Sequence, residues 1–159
     1  MSIQVGDRIP SATFKTMTAD GPKEVTSAEL FDGKKVVIFA VPGAFTPTCS
    51  AAHLPGFVVS VDDIKAKGVD TVVCTSVNDV FVMDAWGKAS NAEHITMLAD
   101  GNATFAQALG LTLDGSGFGM GTRSKRYAMI VDNGQVEHLA IDEKGLEKST
   151  AEAILAALS

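Results

Sequence analysis

The sequence has little of what holds small extracellular proteins together: its 159 residues include two cysteines, Cys49 and Cys74. Two thiols cannot form a disulfide scaffold, and their separation rules out a Cys-x-x-Cys redox or zinc motif. Reduced thiols in a reducing compartment, the cytoplasm, are the resulting expectation. Long hydrophobic runs are missing as well. A membrane-spanning helix needs about 20 apolar residues, whereas the most apolar stretch, Val36 to Val41, stops at Pro42. The opening residues, MSIQVGDRIP, have neither the charged head and apolar middle of a secretory signal nor the Arg and Ser enrichment of a transit peptide. A processed organelle protein would read the same way.

Positive charge is also scarce. The 13 Lys and Arg stand against 19 Asp and Glu, a net charge of -6 that disfavours binding to nucleic acid or to acidic membranes. The one basic cluster is Arg123, Lys125 and Arg126, and its first two members read as a solvated strand entrance. No repeat, low-complexity tract or charge run divides the chain, so one domain over residues 1–159 is expected. The 46% hydrophobic content is enough to give it a substantial core.

The remaining patterns describe an α/β protein. Asp20-Gly21-Pro22 lies between short β-type runs and predicts an N-terminal hairpin. Ser27 is placed as the cap of a short helical turn ending near Gly33. Lys35 to Val41 is a continuous apolar run bounded by Gly33 and Pro42, the pattern of a buried central strand. Thr46-Pro47 reads as a helix start, Thr as N-cap and Pro in the first helical position. Pro55-Gly56 is expected to break or kink that helix before it resumes through Phe57, Val61 and Ile64. Asp70 to Val77 follows as a strand, then a helix capped by Asn78 or Asp79 with Phe81, Val82, Ala85 and Trp86 on its apolar stripe. Ile95 to Leu98 and Ala103 to Leu109 give another strand and helix. The Asn133-Gly134 pair joins strands Tyr127 to Val131 and Val136 to Ile141 in a hairpin. Ser149 and Glu152 suggest a capping box for a last helix carrying Ile154, Leu155 and Leu158. The order gives a mixed central sheet flanked by helices, and a thioredoxin-like topology fits it.

With Thr46 as cap, Cys49 falls in the first helical turn, where free amides and the positive dipole end favour a thiolate. The preceding loop, Val41-Pro42-Gly43-Ala44-Phe45, is apolar and limits access to small molecules. Pro42 and Thr46 are close enough in sequence to supply a pocket wall and a hydroxyl. Spacing alone leaves Cys49 either a reactive thiol or a buried structural one.

Pro42-Gly43-Ala44-Phe45-Thr46-Pro47-Thr48-Cys49 resembles the Pro-x-x-x-Thr-x-x-Cys signature of peroxiredoxins, in the variant of the peroxiredoxin 5 or type II group. His53-Leu54-Pro55-Gly56-Phe57, Ser76-Val77-Asn78-Asp79 with Phe81-Val82, and Arg126-Tyr127-Ala128 are similar to the same group and span most of the chain. The resemblance implies a thioredoxin-like fold and a thiol peroxidase acting on hydrogen peroxide or small organic hydroperoxides. Carried over to this sequence, Cys49 is the attacking sulfur that becomes a sulfenic acid. Arg126 stabilises the thiolate and the leaving oxygen, Thr46 orients the peroxide, and Pro42 shields the sulfur. The backbone amides of Thr48 and Cys49 are further donors to substrate. No metal or organic cofactor is needed, and a homodimer is implied.

Some relatives carry a resolving thiol near the start of the last helix, where this chain reads Gly145-Leu146-Glu147-Lys148. Cys74, among Val72, Val73 and Val77, reads as a small buried hydrophobe and a disfavoured resolving partner. A Cys49–Cys74 disulfide would need the two backbones within about 7 Å. An external thiol is therefore favoured as reductant, glutathione with or without glutaredoxin, with thioredoxin as the alternative. A redox-regulated binding module is the non-enzyme alternative.

Four residues after Cys49, His53 is a candidate for the pocket edge or a subunit contact; without an orienting carboxylate or a ligand cluster it suggests neither a Cys-His hydrolase nor zinc. His94 and His138 read as solvated. The Gly115 to Gly121 segment lacks the Lys-Ser/Thr ending of a phosphate loop and reads as a mobile loop. The resemblance puts it, with Phe118 and Met120, near the site rim and dimer contact.

Overall fold

A computed structural model describes residues 2–158. Its strands are β1 (Thr13–Thr18), β2 (Gly21–Thr26), β3 (Lys35–Ala40), β4 (Thr71–Ser76), β5 (Thr96–Ala99), β6 (Thr112–Asp114), β7 (Thr122–Ser124), β8 (Arg126–Asp132) and β9 (Gln135–Asp142). The helices are α1 (Ser27–Phe31), α2 (Leu54–Ala66), α3 (Val80–Ala89), α4 (Thr104–Leu109) and α5 (Ala151–Leu158). Seven strands form one mixed sheet in the order β2-β1-β5-β4-β3-β8-β9, and β6 and β7 form a separate pair. Strand β3 runs parallel to β4 and antiparallel to β8, as the apolar run and the late hairpin predicted.

Period-2 alternation along the strands divides the core in two. Val37, Phe39, Val72 and Cys74 face Phe57, Ile64, Met83, Trp86 and Ile154 of α2, α3 and α5. Val36, Ile38, Val73 and Met129 face Phe31, Phe105 and Leu109 of α1 and α4. A sheet covered on both faces explains why β3 reads as an unbroken apolar run. Its carboxyl end delivers the chain straight into the Pro42 loop.

Several local expectations are corrected. Thr26, not Ser27, caps α1, in a reciprocal box with Glu29; the Ser27 hydroxyl instead accepts from Ala12 N–H at 3.0 Å. On α3, capped by Asp79, the buried face is Val80, Met83, Trp86 and Gly87, while Phe81 is 64% exposed. Ala153 N–H donates to the hydroxyl of Thr150, which caps α5 in place of Ser149. The glycine-rich segment is the turn of the β6–β7 hairpin, containing a short 3₁₀ turn, Ser116–Phe118.

The helix expected to break or kink at Pro55-Gly56 is unbroken there. It starts at Pro47, passes through a π-helical turn, Cys49–His53, and continues as α2. In the wider turn the Leu54 N–H donates to Cys49 O, five residues back. Pro55, at the start of α2, has no N–H to place, and the π turn directly precedes it.

Candidate active site

Cys49 sits where β3, β8 and the α2 lead-in converge. Ser50 N–H donates to Thr46 O at 2.9 Å, closing the first helical turn. Thr46 is thus the cap, and the amides of Thr48 and Cys49 lie in the turn whose N–H groups have no helical acceptor. The sulfur is fully buried. The fork of Arg126, at the first position of β8, reaches it with Nη2 donating to Cys49 Sγ at 3.1 Å. Residues 77 positions apart are joined because β8 pairs with β3 and starts beside the carboxyl end of β3.

The loop before Cys49 is held from several sides. Thr46 Oγ1 donates to Gly43 O at 2.6 Å, so its hydroxyl closes a tight turn while its lone pairs remain available. Phe45 takes a left-handed conformation in that turn, φ +63°, which a non-glycine residue adopts only where its surroundings fix it. Ala44 N–H donates to Asn78 Oδ1 at 2.9 Å. A Cβ on Gly43 would lie 3.1 Å from Thr46 Cγ2 and 3.2 Å from Met120 Cε, so the loop packs closely on the β6–β7 hairpin. Arg123, expected to be solvated, ties the hairpin down instead, donating from Nε to Met120 O and from Nη1 to Val77 O.

His53 is neither at a pocket edge nor at a surface contact. It is 1% exposed, and both ring nitrogens are used within the chain. Nε2 is 2.8 Å from Ser149 O and Nδ1 is 2.8 Å from Arg126 Nη1. A carbonyl only accepts and a guanidinium only donates, which fixes a neutral ring with its proton on Nε2. Burial, and then the charge of Arg126, push the His53 pKa down to about 4. Sequence reasoning missed this role, because both partners lie far from position 53 in the chain. It also missed Asp142 and Asn78, whose partners lie outside their own elements. His138, read as solvated, is half-buried, with Nε2 lacking a hydrogen-bond partner.

The buried neutral His53 has a consequence for stability. Unfolded, it titrates near 6.5, so between pH 6.5 and 4 the unfolded chain binds the extra proton and stability rises with pH. The shift corresponds to about 3 kcal/mol, fully present above pH 6.5 and lost as the pH falls to 4. Denaturant midpoints at pH 7.5, 5 and 4 should fall steeply in the wild type and less in His53→Gln. Parallel slopes would place the acid sensitivity elsewhere.

Cys74 is fully buried in the middle of β4, opposite Phe39 of β3 and Met97 of β5. Burial, with Cys49 adding to it, pushes its thiol well up, away from the reactive thiolate form. Pro42 is partly buried, and Phe118 is 87% exposed on the hairpin turn. A cavity of about 110 Å³ lies beside Arg126, between Pro42, Leu113, Lys125 and the Asp142–Gly145 turn. A larger one, about 480 Å³, lies between α3, β1 and β5. Its only cation, Lys88, is paired with Asp84 at 3.0 Å, and no cysteine lines it.

The redoxin family model matches residues 4–155. Chloroplastic peroxiredoxin-2E-2 of Oryza sativa subsp. japonica is 48% identical, over 99% of this chain and 73% of that protein. Among solved structures, reduced Prx3 of Vibrio vulnificus in complex with H2O2 superposes with a TM-score of 0.96 and 58% identity, covering 99% of each chain. Peroxiredoxin 5 of Alvinella pompejana superposes at 0.87 with 36% identity, covering 98% of this chain and 97% of its own. With its thioredoxin-like fold, its buried cysteine at a helix start and these relatives over nearly its whole length, the chain belongs to the redoxin family as a peroxiredoxin, a thiol-dependent peroxidase.

Proposed function

We propose that the peroxidase reaction runs through Cys49. The observation that carries the reading is the Arg126 Nη2 to Cys49 Sγ hydrogen bond at the first turn of a helix. The thiolate attacks one peroxide oxygen; an S–O bond forms, the O–O bond breaks, and the sulfur becomes a sulfenic acid. The leaving oxygen takes a proton and departs as water or alcohol. Arg126 stabilises the charge growing on it, because a guanidinium donates from several N–H groups in a fixed plane. The Thr46 hydroxyl and the amides of Thr48 and Cys49 orient the peroxide, and Pro42 keeps bulk water from the sulfur. The apolar, closely packed loop fits hydrogen peroxide and small organic hydroperoxides.

The second half of the cycle uses a thiol from outside the chain. One thiol converts the sulfenic acid to a mixed disulfide with release of water, and a second thiol frees Cys49. Glutathione, with or without glutaredoxin, is the favoured donor, since Cys74 is buried mid-strand and its thiol is pushed up. Reduction of a Cys49–Cys74 disulfide by thioredoxin is the alternative. Cys74→Ser should keep peroxide turnover with glutathione and glutaredoxin within about twofold of wild type, as expected for a change that leaves the reacting groups untouched. Loss of turnover in a still-folded variant would assign the resolving step to Cys74.

A cytoplasmic setting belongs to the same reading, because it supplies thiols and keeps both free cysteines reduced. A homodimer is part of it too, with the exposed Phe118 as a contact residue. The net charge of -6 disfavours nucleic acid and acidic membranes as partners, and among the described residues no helix is long and apolar enough to cross a membrane.

A further inference from the structure

The turn after β9 is organised around a single carboxylate. Asp142 Oδ2 accepts from Glu147 N–H at 3.1 Å, Lys148 N–H at 3.0 Å, Ser149 N–H at 2.9 Å and the Ser149 hydroxyl at 2.7 Å. Oδ1 takes a second contact from Lys148 N–H at 3.0 Å. Burial alone would raise the Asp142 pKa, but the hydrogen bonds led by Lys148 N–H outweigh it and hold it down at about 2. Asp142 and Ser149 are both buried, at 7% and 0% exposure. In the β8–β9 register Asp142 is the direct partner of Arg126.

The carboxylate therefore does more than close a turn. By fixing Ser149 it fixes the Ser149 carbonyl, the acceptor that holds the proton of His53 on Nε2. The bare Nδ1 then takes Arg126 Nη1, leaving Nη2 to point at Cys49 Sγ. We propose that Asp142 is a positioning residue for the peroxide reaction, acting through the Ser149 carbonyl and the His53 tautomer on the orientation of Arg126. The inference rests on the roles given above to Cys49 and Arg126. It assigns the 143–149 turn a function in the first half of the cycle, although that turn carries no thiol.

The groups facing Cys49 are Arg126 and Cys74, and behind Arg126 lie His53 and Asp142. In Asp142→Asn one accepting oxygen becomes a donor, so the amides of the turn lose part of their acceptor set. The rate constant for reaction of reduced protein with hydrogen peroxide should fall about tenfold, within the roughly hundredfold that a 1 Å misplacement costs. A role confined to folding would leave two readouts unmoved. Ring ¹⁵N spectra of histidine-labelled protein should show one tautomer for His53 in the wild type and a mixture in Asp142→Asn, the signal being assigned by its loss in His53→Gln. In a His53→Gln background, Asp142→Asn should add less than twofold, because the relay is already cut.

Should Asp142→Asn fail to fold, Ser149→Ala, which removes the hydroxyl contact but keeps the carbonyl, takes its place with a smaller slowing of the same sign. The proposal is overturned by an unchanged rate constant and tautomer in the folded variant, or by equal slowing with and without His53. Arg126→Leu separates the two levels. If it slows the reaction while Asp142→Asn does not, only the relay fails; if neither variant slows it, the assignment of Arg126 fails as well.

Discussion

Cys49→Ser should reduce catalysed peroxide consumption to the background of buffer plus reductant. A serine hydroxyl carries almost no oxyanion at neutral pH, and its oxygen has no accessible two-electron oxidation of the kind that takes a thiolate to a sulfenic acid. The substitution exchanges one small atom for another in a fully buried site whose neighbour, Arg126, still finds an acceptor. The variant should therefore fold, and its loss of activity reports chemistry. The check is peroxide loss with glutathione and glutaredoxin at saturating reductant, alongside a thermal melt. Turnover above background in folded Cys49→Ser would move the reacting sulfur elsewhere.

Arg126→Leu should lower the rate constant for peroxide by about 10²–10³-fold, corresponding to about 3–4 kcal/mol of lost stabilisation of the developing charge. The side chain is 8% exposed and spans two acceptors, Cys49 Sγ and His53 Nδ1. Removing it takes a donor from the sulfur and leaves a buried lone pair on His53 without a partner. Arg126→Lys should recover only part of the rate, since an ammonium lacks the planar fork that serves both acceptors. Rapid-mixing kinetics on reduced protein separates this step from recycling. A lysine variant as fast as wild type would reduce the role of Arg126 to that of a nearby charge.

Much of this site is legible in the sequence because its signals are local. Thr46-Pro47 marks a helix start, the run up to Val41 marks a strand covered on both faces, and together they place Cys49 in a first turn at a strand's carboxyl end. Arg126 directly precedes the strand expected from Tyr127 and is the first residue of β8. What sequence reading missed depends on long-range geometry. His53 finds a carbonyl 96 residues away and a guanidinium 73 residues away, neither of which leaves a pattern near position 53. Ser149 resembles a cap because Glu152 follows, yet Asp142 takes its hydroxyl and Thr150 caps α5 instead. Phe81 was placed on the core stripe, but the buried positions of α3 begin one residue earlier, at Val80. At Pro55 the local rule predicts a break or a kink; the helix continues through it, with a π turn directly before, which the rule does not foresee.

Intact-mass analysis of reduced protein after one equivalent of hydrogen peroxide, with a sulfenic-acid trap present, tests the Cys49 cycle most directly. Wild type should gain one trap adduct, mapped to Cys49, and Cys49→Ser should gain none. A loss of two hydrogens without adduct would put a Cys49–Cys74 disulfide in place of the external thiol, and an adduct on Cys74 alone would contradict the assignment of Cys49.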